Sequence, residues 1–386
     1  MSAVLLFAVT LQVAVLISDL VRRSVLSTTV LFLTVGFVAG GGVLGLVPGQ
    51  PSDPLLAMIA ELALFSVLFT DGMRAPMQEI ASAWRLPGRA LLLGLPLTML
   101  GNTLLARFVV GLPWLPSVLV GAALSPTDPV FAAAIVGRPE IPQRLRSLLN
   151  LESGLNDGLA LPVLLVALAM LGSRGADVAT LTADLALGVG IGVALPVVII
   201  RLQRTRFFSI TTTYQPLNAF AIGLLIFASA SLSHGNLFLA AFAGGIAVAS
   251  MGQDVQESFR RFGELVTELL KLAAVFLFGA LVSPALLLAL PLSGYIFAVL
   301  VLVAVRPLAM AIALLGSRLS RREWAAAAWF GPKGFASVVY GLLILREAGA
   351  QGPNLFHLIA IVVTLSMVAH SSTDVLVARW FRGDRG

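Results

Sequence analysis

The sequence lacks cysteine entirely, and among its 386 residues only 11% are charged and only three are histidine. The absence of cysteine excludes disulfides, thiol nucleophiles and thiolate metal sites. The three histidines lie near the ends of predicted segments and are interpreted as loop or interfacial residues rather than metal ligands. Soluble domains carry about 25% charged residues, so this composition excludes an ordinary soluble protein.

Acidic and basic runs are also missing, although the formal net charge is +6. The arginines are spread among short segments, and no run contains five or more like charges. A nucleic-acid-binding surface would require a basic cluster. The sequence therefore predicts no nucleic-acid partner.

Long apolar stretches dominate what is present, because 58% of the residues are hydrophobic. A membrane-spanning helix needs about 20 such residues. Thirteen predicted spans, joined by short connections, cover residues 3–20, 26–47, 54–72, 87–110, 114–136, 149–171, 177–200, 214–233, 236–251, 265–286, 290–316, 324–345 and 355–378. The sequence thus predicts an all-α polytopic membrane protein, with an N-terminal span that is not cleaved as a signal peptide.

The distribution of arginine tests this count and orients the chain. Nineteen arginines fall in alternate connections and the tail, whereas only Arg107, Arg174 and Arg346 fall in the opposite ones. Positive charge is retained on the cytoplasmic side. We therefore expect a multi-pass protein of the cell inner (plasma) membrane, with its N-terminus outside and its C-terminus in the cytoplasm. The chain ends shortly after the last span, so no soluble C-terminal domain is expected.

Four ionisable residues lie deep inside the spans, namely Asp128, Asp157, Arg306 and Lys333. Each is ten to twelve residues from an arginine at the cytoplasmic boundary. At about 1.5 Å per helical residue, all four lie roughly 15–18 Å deep, near the middle of the bilayer. A buried structural salt-bridge cluster is the alternative, but the cost of burying these charges favours a functional site.

Several other charged residues have simpler interpretations. Asp71 and Arg74 are expected at the cytoplasmic interface, where solvation explains them. Glu61 is interpreted as a partner of Lys271 or as part of a polar pathway. Two further carboxylates, Glu264 and Glu268, open the tenth span and are interpreted as an interfacial face, with a negative funnel for cations as the alternative.

The densest polar stretch is "LNLESGLNDG", residues 149–158. At 100° per residue, Glu152, Ser153, Asn156 and Asp157 share an arc of about 140° on one helix face. Two carboxylates, a hydroxyl and an amide are hard oxygen ligands, which suit a small alkali cation.

Two spans are interrupted by proline and glycine, the fifth in "SPTDPV" and the twelfth in "WFGPKGFASVVYG". Interrupted helices expose backbone groups and partial charges at their ends. Asp128 is expected to neutralise a positive end, and Lys333 a negative one. The positions five and twelve of thirteen predict inverted repeats of spans 1–6 and 8–13 with two crossing broken helices, which is typical of secondary transporters.

These stretches, together with "VAVRPLA" at the eleventh span, occur in an order that resembles the sodium/proton exchangers of the cation:proton antiporter superfamily. The similarity covers essentially the whole chain and points to the electroneutral, NhaP-like branch. It implies that Asp157 binds either the cation or a proton, that Asn156 marks the electroneutral branch, and that Glu152 forms an ion pair with Arg306.

The resemblance also implies the rest of the site. Thr127 and Asp128 match the pair at the unwound fifth span, with the Thr127 carbonyl and the Ser153 hydroxyl as ligands of a monovalent cation. Glu152 is also expected among the cation- and proton-binding residues. Where mammalian exchangers have Gly-Leu-Arg-Gly, this chain has Gly-Pro-Lys-Gly, so Lys333 is expected to act as a dipole counter-ion rather than as a fork-shaped clamp.

The expected function is exchange of a monovalent cation for H⁺ by competition for Asp157, without an enzyme activity or cofactor. Na⁺ is the expected cation, with Li⁺ and K⁺ as alternatives. One titrating carboxylate implies electroneutral one-to-one exchange. The implied architecture is a homodimer whose core is formed by spans 3–6 and 10–13 and whose dimerisation part is formed by spans 1, 2 and 7–9. A sodium-coupled organic-solute symporter and a cation channel remain the alternatives.

Overall fold

The computed structural model describes residues 2–18, 27–47, 54–74, 85–128, 141–171, 178–208, 210–211 and 214–382. Within these ranges the regular structure is helical, apart from one isolated bridge between Gly40 and Val47. Some predictions lie outside the described residues. They concern Arg22, Arg23, Arg138, Arg174, Arg385 and residues 129–136 of the fifth predicted span.

The first part of the chain contributes six helices among its described residues. They are α1 (Ser2–Leu16), α2 (Thr28–Ala39), α3 (Pro54–Met73), α4 (Arg85–Val110), α5 (Trp114–Ala123) and α6 (Gln143–Leu171). Helix α4 contains two wider π-helical turns, Ala90–Gly94 and Ala106–Val110.

The second part contributes nine helices in the described residues. They are α7 (Val178–Gln203), α8 (Gln215–Ser233), α9 (Leu237–Met251), α10 (Gln253–Leu281), α11 (Pro284–Ala289), α12 (Leu292–Ala313), α13 (Arg321–Trp329), α14 (Phe335–Glu347) and α15 (Gly352–Arg382). Helix α12 contains the π-helical turn Val301–Val305.

In the described residues, each of the thirteen predicted spans overlaps a helix, and the twelfth overlaps the pair α13 and α14. By length and apolar composition alone, five helices of the described part can cross a membrane, and five shorter apolar helices accompany them. The protein is therefore an all-α polytopic membrane protein.

Some predicted boundaries are wrong. Helix α10 begins at Gln253, twelve residues before the predicted start of the tenth span at residue 265, and α6 begins at Gln143 rather than at residue 149. Both early segments are rich in charged residues, so hydropathy does not reveal them although they continue the helices as amphipathic turns. Helix α2 ends at Ala39, well before residue 47.

Glycines bring several helices into backbone contact. A side chain at Gly72 of α3 would collide with the backbone of α9 near Phe242, and one at Gly245 of α9 would collide with Phe69 of α3. The crossing of α2 and α10 at Gly36 and Gly279 is equally close. Small residues permit such approach in membrane bundles. The small-residue stretch "FLAAFAGGIAVAS" of α9 therefore packs within the chain.

Candidate functional site

The two interrupted spans meet at the centre of the bundle. After α5 the chain is extended through Asp128, whose backbone N–H donates a 3.0 Å hydrogen bond to the carbonyl of Pro332 between α13 and α14. The Asp128 carboxylate accepts a 2.8 Å hydrogen bond from the N–H of Phe335, the first residue of α14. It thus satisfies one of the free N–H groups at the positive end of that helix.

Lys333 makes the reciprocal contact. Its Nζ lies 3.3 Å from the carbonyl oxygen of Ser125 and 3.4 Å from that of Pro126, just past the C-terminal end of α5. Its backbone N–H donates to the Ser366 hydroxyl of α15 at 2.6 Å. A buried ammonium therefore faces the negative end of one interrupted helix, while a buried carboxylate faces the positive end of the other.

Glycine is required at the crossing for steric reasons. A Cβ atom at Gly334 would overlap the side chain of Asp128, and one at Gly331 would overlap the side chain of Arg306. These glycines therefore leave the space that two buried charged side chains occupy.

Arg306 lies against Glu152. Its guanidinium donates to both carboxylate oxygens, at 2.7 and 3.0 Å, and to the carbonyl of Ala327 in α13 at 3.1 Å. All of these groups are buried. Because Arg306 engages both carboxylate oxygens of Glu152, we assign Glu152 to the ion pair and leave it out of the cation ligands in which the sequence analysis also included it.

A short polar chain joins the fifth span to α6. The Asn156 amide donates to the Thr127 hydroxyl at 2.6 Å, and the hydroxyl oxygens of Thr127 and Ser153 lie 3.3 Å apart. All three side chains are buried. The carbonyl oxygen of the Asn156 amide has no hydrogen-bond partner among the described residues.

Asp157 is the most unusual residue of this group. It is 4% exposed, and its Oδ1 atom has no hydrogen-bond partner in the described part of the chain. Its backbone carbonyl accepts a 2.7 Å hydrogen bond from the Tyr340 hydroxyl of α14. A buried carboxylate oxygen without a donor is costly unless a proton or a cation occupies it.

A small cavity of about 40 Å³ reaches Asp157. This is more than one water molecule requires, so an ion with a water molecule can be accommodated. The cavity is lined by Val67, Thr70, Asp71, Arg74, Asp128, Asp157, Glu264, Thr267, Glu268, Lys271 and Phe335, which belong to α3, the fifth span, α6, α10 and α14. The structure therefore brings together Asp128 and Asp157, which the sequence analysis had selected, with groups that it had not.

Asp71 is the principal residue that sequence reasoning missed. It is 3% exposed and lines the cavity, with its carboxylate 3.5 Å from the guanidinium of Arg74. Its predicted interfacial solvation is wrong, because α3 continues past it to Met73 and packs closely on α9 at Gly72. Polar residues Thr70, Asp71 and Arg74 share one face of α3, a pattern that could have revealed an inward orientation.

The predicted partner of Lys271 is also wrong. Its Nζ lies 3.9 Å from Asp128 and 3.7 Å from Glu268, whereas Glu61 pairs with Arg346 at 2.8 Å. Glu264 and Glu268 line the outer part of the cavity, and their side chains are 40% and 43% exposed. This placement favours the alternative of a negative funnel over an ordinary interfacial face.

In the described residues, an all-helical membrane bundle places the end of α5 against the break between α13 and α14, beside a buried carboxylate, and this arrangement is typical of secondary transporters. The chain belongs to the sodium/hydrogen exchanger family, because the transmembrane sequence model of that family matches residues 7–380. The chain is 27% identical over 378 residues to the K(+)/H(+) antiporter NhaP of Alkalimonas amylolytica, covering 96% of this chain and 64% of that relative. It is 26% identical over 388 residues to the K(+)/H(+) antiporter NhaP2 of Shewanella sp. (strain MR-4), covering 97% of this chain and 66% of that relative.

The fold is similar to that of a solved structure, the sodium proton antiporter MjNhaP1 from Methanocaldococcus jannaschii at pH 8. The TM-score is 0.80 at 18% identity, and the match covers 99% of this chain and 98% of the other. The chain spans just under two thirds of the length of the two curated relatives.

Proposed function

We propose that the protein is a secondary active antiporter that exchanges a monovalent alkali cation for H⁺. Family membership supports this reaction, and so do the antiport activities of the NhaP relatives and of the structural neighbour. The observation that carries the proposal is the unpartnered Oδ1 of Asp157, buried beside a cavity of about 40 Å³.

The proposed mechanism is competition for Asp157. A cation and a proton cannot both neutralise the same carboxylate, so binding of one on either side of the membrane releases the other. The Thr127 carbonyl and the Ser153 hydroxyl supply further oxygen ligands, and Asp71 adds a third candidate from the cavity that Asp157 lines. Both carboxylate oxygens of Asp128 already face partners, Lys271 and the N–H of Phe335, so Asp128 shapes the site rather than binding the ion. Asn156 orients Thr127 through its 2.6 Å hydrogen bond.

The identity of the cation is the next part of the proposal. Na⁺ is the cation expected from the sequence, and the structural neighbour is a sodium proton antiporter. The curated relatives are K(+)/H(+) antiporters, so K⁺ is the second cation to test. Oxygen ligands in a flexible site accept both ions.

The small volume of the cavity argues against an organic-solute symporter. Pockets for small organic molecules usually measure about 300–1,000 Å³. The cavity beside Asp157 is about 40 Å³, which suits an ion rather than a solute.

Reconstitution tests the proposal directly. Proteoliposomes that contain the purified full chain should show proton movement when Na⁺, Li⁺ or K⁺ is added, with no organic substrate present. Asp157→Asn should reduce exchange to the level of empty vesicles, while a matched control, Glu61→Gln, should retain it because Glu61 lies outside the cavity. Helical content and a single monodisperse species must be the same for all variants. Exchange by a correctly folded Asp157→Asn protein would refute the proposal.

The remaining parts of the proposal concern organisation. We expect an inner-membrane protein with its N-terminus outside and its C-terminus in the cytoplasm, so that Arg74 and Glu264 mark the cytoplasmic mouth of the cavity. We also expect a homodimer, with spans 3–6 and 10–13 as the core and spans 1, 2 and 7–9 as the dimerisation part. In this division, α2 with α10 and α3 with α9 cross between the two parts.

A further inference from the structure

Lys271 is a partly buried cation inside a cavity proposed to bind cations. Its Nζ lies 3.9 Å from Asp128 Oδ1, 3.7 Å from Glu268 and 6.0 Å from the ring centre of Phe335. Its side chain is only 14% exposed. None of the motifs that identify the family contains this residue, and the competition mechanism does not use it.

The charges around the cavity are unequal. Five carboxylates line it, those of Asp71, Asp128, Asp157, Glu264 and Glu268, against the two cationic side chains of Arg74 and Lys271. Carboxylate oxygens are the ligands that divalent cations prefer, and strongly negative sites usually bind divalent ions more tightly than monovalent ones. Such a cavity therefore needs a feature that disfavours divalent ions if it is to transport alkali cations.

Lys271 supplies that feature through its position. Arg74 lies at the half-exposed mouth and pairs with Asp71 and Glu264, whereas Lys271 faces Asp128 at the inner end. In the described residues, no three acidic or histidine side chains converge as a ready metal site. Contacts of Asp128 with Lys271 and with the N–H of Phe335 are consistent with this absence, since they occupy carboxylate oxygens that could otherwise turn towards an ion.

We propose that Lys271 is a tethered cation that makes the site selective for singly charged ions. This inference rests on the proposed function and deepens it. A fixed positive charge repels a divalent ion twice as strongly as a monovalent ion at the same place. Removing the charge should therefore increase the affinity for Na⁺ by some factor and the affinity for Ca²⁺ by about the square of that factor.

Binding of NaCl and CaCl₂ to the purified full chain in detergent, at constant ionic strength, tests this relation. In Lys271→Met, the apparent dissociation constant should fall roughly tenfold for Na⁺ and roughly a hundredfold for Ca²⁺. Lys271→Arg should keep the selectivity of the natural protein, because it keeps the charge. Arg346→Met removes an ion-paired cation outside the cavity and should change neither constant.

A merely structural lysine gives a different result. In that case Lys271→Met would lose stability without a gain for Ca²⁺ that exceeds the gain for Na⁺, and this outcome would overturn the proposal. Adding Asp157→Asn to Lys271→Met should abolish the gain, which locates the bound Ca²⁺ at the site, and a gain that survives this change would also overturn the proposal. If the methionine variant does not fold, Lys271→Gln replaces it.

Binding measurements on the natural protein alone also test the proposed selectivity. Tighter binding of Ca²⁺ than of Na⁺, with competition between the two, would contradict the assigned role, whereas weaker binding of Ca²⁺ supports it. Exchange is measured separately in vesicles. A natural protein that fails to exchange ions would refute antiport, while the binding ratios would still report on selection by charge.

Discussion

At the scale of single residues, the site is a set of buried carboxylates whose partners differ. Asp128 contacts Lys271 and the N–H of Phe335, and Asp71 contacts Arg74. Of these three aspartates, only Asp157 has a fully buried carboxylate oxygen that lacks a hydrogen-bond partner in the described residues. Since an ion or proton is attracted most strongly where charge is least compensated, Asp157 is the residue on which exchange should depend.

Asp71 should affect cation affinity without being essential. Asp71→Asn removes one negative charge from the cavity wall, so the KM for Na⁺ or K⁺ should increase about tenfold while exchange at saturating cation persists. Exchange rates at varied cation concentrations measure this effect. Glu61→Gln is a matched control, because it changes an ion-paired carboxylate of the same helix that lies outside the cavity. An unchanged KM in Asp71→Asn would show that the only role of Asp71 is its ion pair with Arg74.

At the scale of helices, a charged side chain from each of the two interrupted spans contacts backbone groups of the other span. Lys333 faces the carbonyl groups that follow α5, and Asp128 faces the first N–H of α14. Asn102 of α4 also donates to the carbonyl of Leu124 at 3.0 Å. Without these partners, backbone groups at the interruptions would be buried and unsatisfied.

Gly334→Ala should disrupt the crossing. The added methyl group would overlap the Asp128 side chain and displace its carboxylate from the N–H of Phe335. We expect a loss of about 1–3 kcal/mol of stability, a lower Tm in detergent and loss of exchange. Gly190→Ala on α7 is the control, because a Cβ atom there meets no neighbouring atom within 4 Å. Equal Tm values and equal exchange for the two variants would contradict this role of Gly334.

An ion pair outside the predicted membrane spans, Arg144 with Glu323, connects α6 to the start of α13. Arg144 donates to Glu323 through Nε at 2.6 Å and to the Arg318 carbonyl at 2.9 Å, while Glu323 accepts a hydrogen bond from the N–H of Ser320 at 2.8 Å. Burial by itself would raise the pKa of Glu323, but the hydrogen bonds from Arg144 and Ser320 hold it below the ordinary value of 4.5. A lowered pKa in the folded state means that the ionised form stabilises the fold.

The pH dependence of stability follows from this shift. The contribution of Glu323 should be fully present above pH 4.5 and should be lost as the pH falls through the lower pKa of the folded state. Glu323→Gln should therefore lower Tm at pH 6, and its difference from the natural protein should disappear in more acidic buffer. Glu347→Gln, at the C-terminal end of α14, serves as the control, because Glu347 pairs with Arg346 and not with Arg144. A Tm difference that is the same at both pH values would contradict the assignment.

At the scale of the whole molecule, the balance of charge predicts the stoichiometry of the proposed exchange. Glu152 is bound by Arg306, and Asp128 and Asp71 each contact a cationic side chain. If only Asp157 exchanges its proton for a cation, one positive charge moves in each direction in every cycle. The net charge transferred is then zero.

An imposed membrane potential should therefore leave the exchange rate unchanged. Proteoliposomes with the same cation and proton gradients, but with potentials of opposite sign, measure this property. Vesicles held at zero potential provide the control. Acceleration by one sign of the potential would show that a second group, with Asp71 as the first candidate, also carries a proton, and it would leave antiport itself intact.

The sequence by itself determined the class of fold, because covering the apolar core of a bilayer requires long apolar helices and the arginine distribution constrains their number. It also selected Asp128, Asp157 and Lys333, since charges beside helix-breaking residues are costly unless helix ends or ions compensate them. The inverted repeat, the dimer and the roles of these residues stay predictions.

Only the tertiary structure decided which charged groups share one cavity. Asp71 and Lys271 lie on α3 and α10, two long helices whose charged turns look interfacial in the sequence, and close packing of α3 on α9 places Asp71 inside the bundle. Ion pairs such as those of Lys271 with Asp128 and of Glu61 with Arg346 join residues far apart in the chain. Spacing along one helix reports the face a residue occupies, but the neighbour on that face is set by how the helices pack.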